Sequence, residues 1–201
     1  NIIMEIEYNV DSFNKIVQNR RSTFPYEFEK GKHIPDEIIW QILENANRAP
    51  SHKLTEPWRF TVFTDKGLQQ FADMQSEIYT KYAGEKFKEK KLKNLQEYPL
   101  MSSHVIAVSM KRNEENRLPE MEEIVAIGCA IENMYLTAAA YGLGCYLSTG
   151  GITYFKETKP FFNLGEDDKL FGFFYIGYPA SAVAPLSKRQ PVKDKVKWVM
   201  E

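Results

Sequence analysis

The sequence predicts a single α+β domain, and three observations support this prediction. Apolar residues recur with helical spacing in some segments, whereas other segments are short apolar runs of strand length. Hydrophobic residues make up 43% of the 201 residues, which is enough for one sizeable core. No internal repeat, low-complexity tract or linker interrupts the chain. We therefore expect one domain over residues 1–201.

The first two predicted helices both lead into polar residues. Asp11 or Ser12 can cap the first helix, which ends at two arginines, where the helix dipole favours cations. The second helix begins at residues 35–37 (Pro-Asp-Glu) and is stopped by Pro50. Phe13, Ile16 and Val17 share one apolar face of the first helix, and the residues expected to point inward from the second are Ile38, Ile39, Ile42, Leu43 and Ala46.

The middle of the chain is predicted to alternate strands and helices. Residues 58–63 alternate as a strand, residues 66 to 82 have helical spacing, and residues 104–110 form a second apolar strand. A polar loop follows at residues 112–119. In the lysine-rich run 85–93, glutamates are interleaved with the cations. That pattern favours a solvated helix face or a lid over a phosphate-binding patch.

The last third of the chain is predicted to contain a long central helix. The predicted elements are a helix over residues 120–141, a strand at 145–147, a helix at 154–161 and an aromatic strand at 169–178. Gly142 and Gly144 are expected to end the long helix. The apolar stretch 124–147 is long enough to span a membrane, but Glu132 and Asn133 interrupt it. We therefore expect a buried core helix there.

Composition argues against several classes of partner. Lysine and arginine total 26 against 27 acids, for a formal net charge of -1, so neither nucleic acid nor an anionic membrane is expected to bind. Cys129 and Cys145 form no C-x-x-C pair and lie in apolar surroundings, as small core residues do in a reducing compartment. The chain opens without the basic region of a signal peptide. We expect a cytoplasmic protein.

Several familiar catalytic motifs are missing from the sequence. Residues 142–144 (Gly-Leu-Gly) follow a helix rather than a strand and lack the third glycine of a dinucleotide-binding fingerprint. The spacing of His33, His52 and His104 matches no metal-binding motif, so no metal site is predicted. No Gly-x-Ser-x-Gly elbow is present, and covalent catalysis has no candidate nucleophile.

Three short polar clusters remain, each at the edge of an apolar element. The first cluster is residues 20–22 (Arg-Arg-Ser), the second is residues 48–53 (Arg-Ala-Pro-Ser-His-Lys), and the third is residues 148–151 (Ser-Thr-Gly-Gly). Taken alone, the first cluster is more simply a solvated helix end, and the third is equally well explained as a turn. The second lies in a loop made stiff by Pro50 and Pro57, which favours a binding function. Together they offer guanidinium groups, hydroxyls and backbone N–H groups, which suit a phosphate-bearing, polar-edged aromatic cofactor.

The order of these clusters resembles that of the FMN-dependent nitroreductase family. The resemblance rests on the first cluster, on residues 48–60, on residues 141–144 leading into the third cluster, on the strand 171–179 and on Lys188-Arg189. It covers nearly the whole chain. The Ala-Pro-Ser-His-Lys form of the second cluster is similar to that of the small, compact NAD(P)H nitroreductases of the family.

The resemblance implies an α+β fold with a central, mainly antiparallel sheet flanked by helices, and an intertwined homodimer that shares two FMN sites. Residues 20–22 would hold the phosphate, the ribityl chain and the pyrimidine edge, and residues 48–53 would come partly from the partner subunit. The third cluster would lie along the ring, with a backbone N–H near the flavin N5. The residues so assigned are Arg20, Arg21, Ser22, Arg48, Pro50, Ser51, His52, Lys53, Leu147, Ser148, Thr149, Gly150, Lys188 and Arg189.

The same resemblance implies an enzyme that transfers hydride from NADH or NADPH through flavin N5 to a small aromatic acceptor, a nitro compound or a quinone. Such an exchange predicts ping-pong kinetics. The cofactor carries the chemistry, so no acid or base residue is required. Two alternatives stay open: a flavin-binding or flavin-processing protein without nicotinamide turnover, and a non-catalytic interaction domain that has lost the cofactor.

Three positions depart from the family pattern. Many relatives carry a basic residue two places after the serine of the first cluster, where this chain has Phe24, and many carry Asn and Gln where this chain has Leu54 and Glu56. We hypothesise that Lys53 supplies the lost cation at the N1–C2=O edge of the reduced flavin. Aromatic side chains from residues 79–98 are expected to cover the ring.

Overall fold

A four-stranded sheet forms the centre of the computed structural model, which describes residues 8–113, 115, 118–181 and 188–200. The strands are β1 (Trp58–Phe63), β2 (His104–Met110), β3 (Gly144–Ser148) and β4 (Lys169–Gly177). They lie in the order β1-β2-β4-β3, and each pair of neighbours is antiparallel. The predicted α+β class with a central antiparallel sheet is confirmed, and β3 is one of its two edge strands.

Helices cover both faces of this sheet. They are α1 (Val10–Asn19), α2 (Asp36–Asn47), α3 (Lys66–Tyr82), α4 (Glu89–Met101) and α5 (Glu120–Ala140). Side chains of α2 and α5 pack with Ile106 and Phe174 on one face, whereas those of α3 and α4 pack with Val105 and Phe173 on the other. Successive residues of a strand point to opposite faces of the sheet, and helices cover both faces. The strands β2 and β4 are therefore apolar along almost their whole length.

Several predicted elements differ from the observed ones. The helix predicted at residues 154–161 is a 3-10 helix, Lys156–Phe162, which contains Pro160. The predicted helix is therefore present as a 3-10 helix with slightly shifted bounds rather than as an α-helix. Helix α4 continues to Met101, well beyond the lysine-rich run.

Apolar side chains on two helices are left exposed within one chain. None of the residues of α1 is buried: on its predicted apolar face, Phe13 is 56% exposed and Val17 is 43% exposed. Helix α5 is the predicted core helix, and its inner face packs against α2 and the sheet, but Met121 and Val125 on its other face are exposed. By length and composition α5 is apolar enough to cross a membrane, and within the described chain its inner face instead forms the core.

Gly172 fixes how β4 meets the end of β3. Its φ is +145°, a conformation that side-chain-bearing residues rarely adopt. A Cβ at this position would lie 2.5 Å from the carbonyl oxygen of Ser148 and 3.2 Å from Leu147 Cδ1. The pairing of β2 with β4 also shifts register between Val108 and Ser109, next to this glycine. The absence of a side chain therefore lets the third cluster lie directly against β4.

Candidate active site

The first cluster lies along the free edge of β3. The backbone N–H of Thr23 donates to the carbonyl oxygen of Cys145 at 2.8 Å, and Ser22 forms an isolated parallel bridge with the same residue. The chain after α1 therefore runs beside β3 as a short extra strand, although β3 is an edge strand of the sheet. This pairing places residues 20–22 next to the strand that leads into the third cluster.

Tyr135 of α5 joins these two clusters. Its phenol oxygen accepts a 2.9 Å hydrogen bond from the Leu147 backbone N–H and also bonds to the Ser22 side chain. The Arg20 guanidinium lies 5.1 Å from the centre of the Tyr135 ring, within cation–π range. Burial raises the pKa of Tyr135, which keeps the phenol neutral. Nothing in the sequence marks this residue, because one tyrosine in an apolar helix looks like any other core residue.

Positive charge gathers on this edge. Arg20 is 19% exposed, with its Nε 4.0 Å from a Glu132 carboxylate oxygen, and Arg21 beside it is half-buried. Both arginines line a cavity of about 120 Å³ between α1, the end of α5 and the start of β3. Whole ligand sites are usually about 300–1,000 Å³, so this cavity matches one polar group of a larger ligand.

Helix α4 lies over the third cluster. A Cβ at Gly150 would be 2.9 Å from Lys91 Nζ, and one at Gly151 would be 3.0 Å from Leu95 Cδ2. The two glycines therefore permit a close approach that other residues would obstruct. The lid expected from this region stays a prediction.

Lys91 departs from the solvated face expected for the lysine-rich run. Its side chain is half-buried, and burial lowers its pKa. Over the described ranges, no salt bridge within 4.0 Å pairs Lys91 with a carboxylate, whereas Lys93 on the same helix lies 3.8 Å from Glu97. A half-buried ammonium beside a glycine loop is well placed to meet an anionic group. The sequence signal for this contact was the Gly150-Gly151 pair, because two adjacent glycines permit another element to pack closely on them.

A group of aromatic rings continues this surface along β3. Phe24 packs on Tyr146 with ring centres 4.5 Å apart, and Tyr26 lies 6.2 Å from Tyr98 of α4. Burial raises the pKa of Tyr98, with smaller contributions from Tyr26, Tyr146 and Glu97. Phe24 is thus part of an aromatic surface next to the candidate site.

The second cluster is ordered but lies elsewhere on the chain. Its His52 Nδ1 bonds to the carboxylate of Glu122 at the start of α5, and Lys53 is exposed with a φ of +52°. Arg20 meets the same helix at Glu132, ten positions later, which is about 15 Å along a helix axis. One chain therefore unites the first and third clusters and leaves the second apart from them. Of the predicted site residues in the second cluster, Ser51 is half-buried, and the exposed ones are Arg48, Pro50, His52 and Lys53.

The late cations also remain separate within one chain. Lys188 and Arg189 are exposed, as are all residues from 188 to 200. The proline at position 185, which precedes them, lies outside the described residues. The described part of the chain thus brings the first and third clusters together without Lys188 and Arg189. The residues brought together are Arg20, Arg21, Ser22, Leu147, Ser148, Thr149 and Gly150.

Comparison with known proteins gives a consistent result. The sequence profile of the Nitroreductase family matches residues 17–178. A Bacillus subtilis protein named "Putative NAD(P)H nitroreductase YfhC" is 28% identical over 181 residues, covering 90% of each chain. A nitroreductase-like family protein from Bacillus cereus superposes with a TM-score of 0.77 at 23% identity, over 97% of this chain and 98% of that one. A Desulfovibrio desulfuricans "putative nitroreductase in complex with fmn" gives a TM-score of 0.67 at 23% identity, over 94% and 96%.

Proposed function

The chain belongs to the nitroreductase family, and from this premise we propose that it is a cytoplasmic FMN-dependent oxidoreductase. Its reductant would be NADH or NADPH and its acceptor a small aromatic compound, a nitro compound or a quinone. The observation that carries the proposal is the junction of the first and third clusters on the free edge of β3. Bound FMN would supply the redox chemistry, taking hydride from the nicotinamide and delivering electrons to the acceptor in alternating half-reactions.

The groups on this edge fit FMN in charge and in hydrogen-bonding type. Arg20 and Arg21 with the Ser22 hydroxyl suit a phosphate dianion and polar oxygens, since guanidinium groups bind phosphate through paired N–H donors. The backbone N–H of Leu147 is already held by Tyr135, so ring contacts would come from Thr149 and Gly150. Tyr135 would orient Ser22 and Leu147, while Lys91 would face negative charge near the glycine loop.

A homodimer would bring the second cluster to this edge. Exposed apolar side chains, which favour a protein contact, lie on α1, on α5 and in the final segment. They include Phe13, Val17, Met121, Val125, Val192, Trp198 and Val199. In the proposed intertwined dimer these surfaces cover one another, and Arg48, Ser51, His52 and Lys53 reach the site from the opposite subunit. The final segment would bring Lys188 and Arg189 to the phosphate.

An anaerobic absorbance experiment tests the proposal. The purified protein is expected to be yellow, to lose its colour on addition of NADH or NADPH, and to regain it when a quinone or nitroaromatic compound is added. Colour that neither nicotinamide bleaches would favour the alternative of a flavin-binding or flavin-processing protein. A colourless chain whose melting temperature does not respond to FMN would overturn the proposal and favour a non-catalytic interaction domain.

Lys91→Met is expected to lower the flavin midpoint potential by about 30 mV, because a lost charge interaction of about 1.4 kcal/mol changes a two-electron couple by that amount. The reduced form carries the additional negative charge, so it loses more than the oxidised form. Dye-equilibrated reductive titration measures the shift. Lys93→Met is the matched control, since Lys93 is an exposed lysine of the same helix and is paired with Glu97.

The hypothesis formed on the sequence assigns this charge to Lys53 instead, and Lys53→Ala should then lower the flavin potential or the flavin occupancy. An unchanged potential and occupancy in Lys53→Ala, together with a lowered potential in Lys91→Met, would assign the charge to Lys91. If Lys91→Met keeps the potential of the unmodified protein, its ammonium plays no part at the ring.

A further inference from the structure

We propose that His33, Asp36 and His104 form a binding site for a divalent transition-metal ion, with Zn²⁺ as the best fit, at the start of α2. The proposal does not depend on the flavin site. His33 precedes α2, Asp36 is the first residue of that helix, and His104 is the first residue of β2. The fold therefore brings together two residues three positions apart and a third from a distant strand.

The distances between the three side chains suit one ion. His33 Nε2 lies 3.6 Å from Asp36 Oδ1, and His104 Nε2 lies 3.3 Å from the same oxygen. The candidate ligand atoms of all three residues lie within 4.8 Å of one another. In a tetrahedral zinc site with bonds of 2.0–2.1 Å, neighbouring ligand atoms are about 3.3 Å apart.

The buried histidine is oriented in the way that metal ligands usually are. His104 is 1% exposed, and its Nδ1 lies 2.9 Å from Ser103 Oγ. That hydroxyl oxygen is itself fixed, because it accepts a 2.7 Å hydrogen bond from the backbone N–H of Ile34. The ring is thereby held with its Nε2 directed at Asp36. In zinc sites, a ligating histidine is commonly held in orientation by a hydrogen bond at its other ring nitrogen.

His104 supplies the buried ligand of the set. The other two groups face solvent, since the side chains of His33 and Asp36 are 49% and 68% exposed. Water can therefore occupy the remaining coordination position.

The donor set also indicates which ions fit. Two imidazole nitrogens and one carboxylate oxygen suit Zn²⁺, Ni²⁺ or Cu²⁺ rather than Ca²⁺ or Mg²⁺, which prefer oxygen ligands only. The proposed metal site lies away from the third cluster. His104 pairs with Ile176 at the end of the sheet where Gly144 begins β3, and Ser148 lies at the other end of β3. The four residues from Gly144 to Ser148 span about 13 Å along the strand. The ion would therefore stabilise the start of α2 against β2 without touching the third cluster.

Isothermal titration of the untagged full chain with ZnCl₂ alone, after dialysis against a chelator, tests the proposal. One ion is expected to bind per chain. His33→Gln and Asp36→Asn should each weaken binding by roughly 10- to 100-fold or more, because even residues that only orient a ligand have effects of that size. Both residues are exposed, so the fold should tolerate these changes. His52→Gln is the matched control, since His52 is an exposed histidine that also bonds to a carboxylate.

Cobalt substitution gives a second readout. Co²⁺ is expected to produce the intense visible bands of a near-tetrahedral site in the unmodified chain and in His52→Gln, and not in His33→Gln. Less than one Zn²⁺ per chain, equal affinity in His33→Gln, or an equal loss in His52→Gln would overturn the site. Flavin content should be the same in His33→Gln as in the unmodified chain, so a failure of this proposal is distinguishable from a failure of the proposed function.

Discussion

Gly172→Ala is expected to lower the free energy of unfolding substantially and to displace the third cluster. A φ of +145° is strained for alanine by about 1–3 kcal/mol. The new Cβ would also lie 2.5 Å from the Ser148 carbonyl oxygen, and relieving such an overlap in a packed region costs about 1–3 kcal/mol more. The contact involves backbone on both strands, so β3 must move away from β4. The proposed flavin contacts at Thr149 and Gly150 would move with it.

Urea denaturation followed by circular dichroism measures the stability change, and flavin titration measures the effect on the site. Gly67→Ala is the matched control, because Gly67 lies in α3 and an added Cβ would meet only Phe63 Cβ at 3.9 Å. That substitution should be neutral or stabilising by about 0.5–1 kcal/mol. Stability and flavin affinity equal to those of the unmodified chain in Gly172→Ala would show that β3 does not depend on this close approach.

Arg20→Ala is expected to weaken FMN binding by roughly 10- to 150-fold, equivalent to about 1.5–3 kcal/mol for hydrogen bonds to a charged group. The loss has two sources. The phosphate loses a guanidinium donor, and Tyr135 loses the cation that lies over its ring. Arg20→Lys keeps the charge without the planar fork of donors and should give an intermediate affinity.

Fluorescence titration of the apoprotein with FMN measures this effect. Lys15→Ala is the control, since Lys15 is an exposed cation of the same helix. The melting temperature of the apoprotein should change little in Arg20→Ala, because the Glu132 contact is a long 4.0 Å pair on a half-exposed carboxylate. An unchanged dissociation constant for FMN would remove Arg20 from the proposed phosphate site.

The main elements of the fold could be predicted from local patterns. The bounds of β1 and β2 match the predicted strands, because both are short apolar runs bounded by polar loops. The helix at Lys156–Phe162 was not recognised as a 3-10 helix, because the spacing of apolar residues does not distinguish a short 3-10 helix from an α-helix. The exposure of the apolar face of α1 was not predicted for another reason. An amphipathic pattern shows that one face of a helix is apolar, but it does not show which surface covers that face.

The candidate site was predictable in its parts and not in its assembly. The first and third clusters could be recognised as polar residues at the edges of apolar elements. That they lie side by side could not be predicted, because it depends on the hydrogen bond between Thr23 and Cys145, which are far apart in sequence. Tyr135 and Lys91 were missed because their roles arise from partners that only the fold supplies. For the same reason, the spacing of His33 and His104 gave no hint that both approach Asp36.

Because α4 lies on Gly150, the residues proposed to hold the cofactor and the residues next to the glycine loop belong to different elements. The edge of β3 and the end of α1 are built into the sheet, whereas Lys91 and Leu95 of α4 lie next to the glycine loop. If the acceptor binds on this loop, these side chains would set the size of compound that fits. Substitutions along α4 would then broaden or narrow the range of compounds reduced, without removing the arginines proposed to anchor the cofactor.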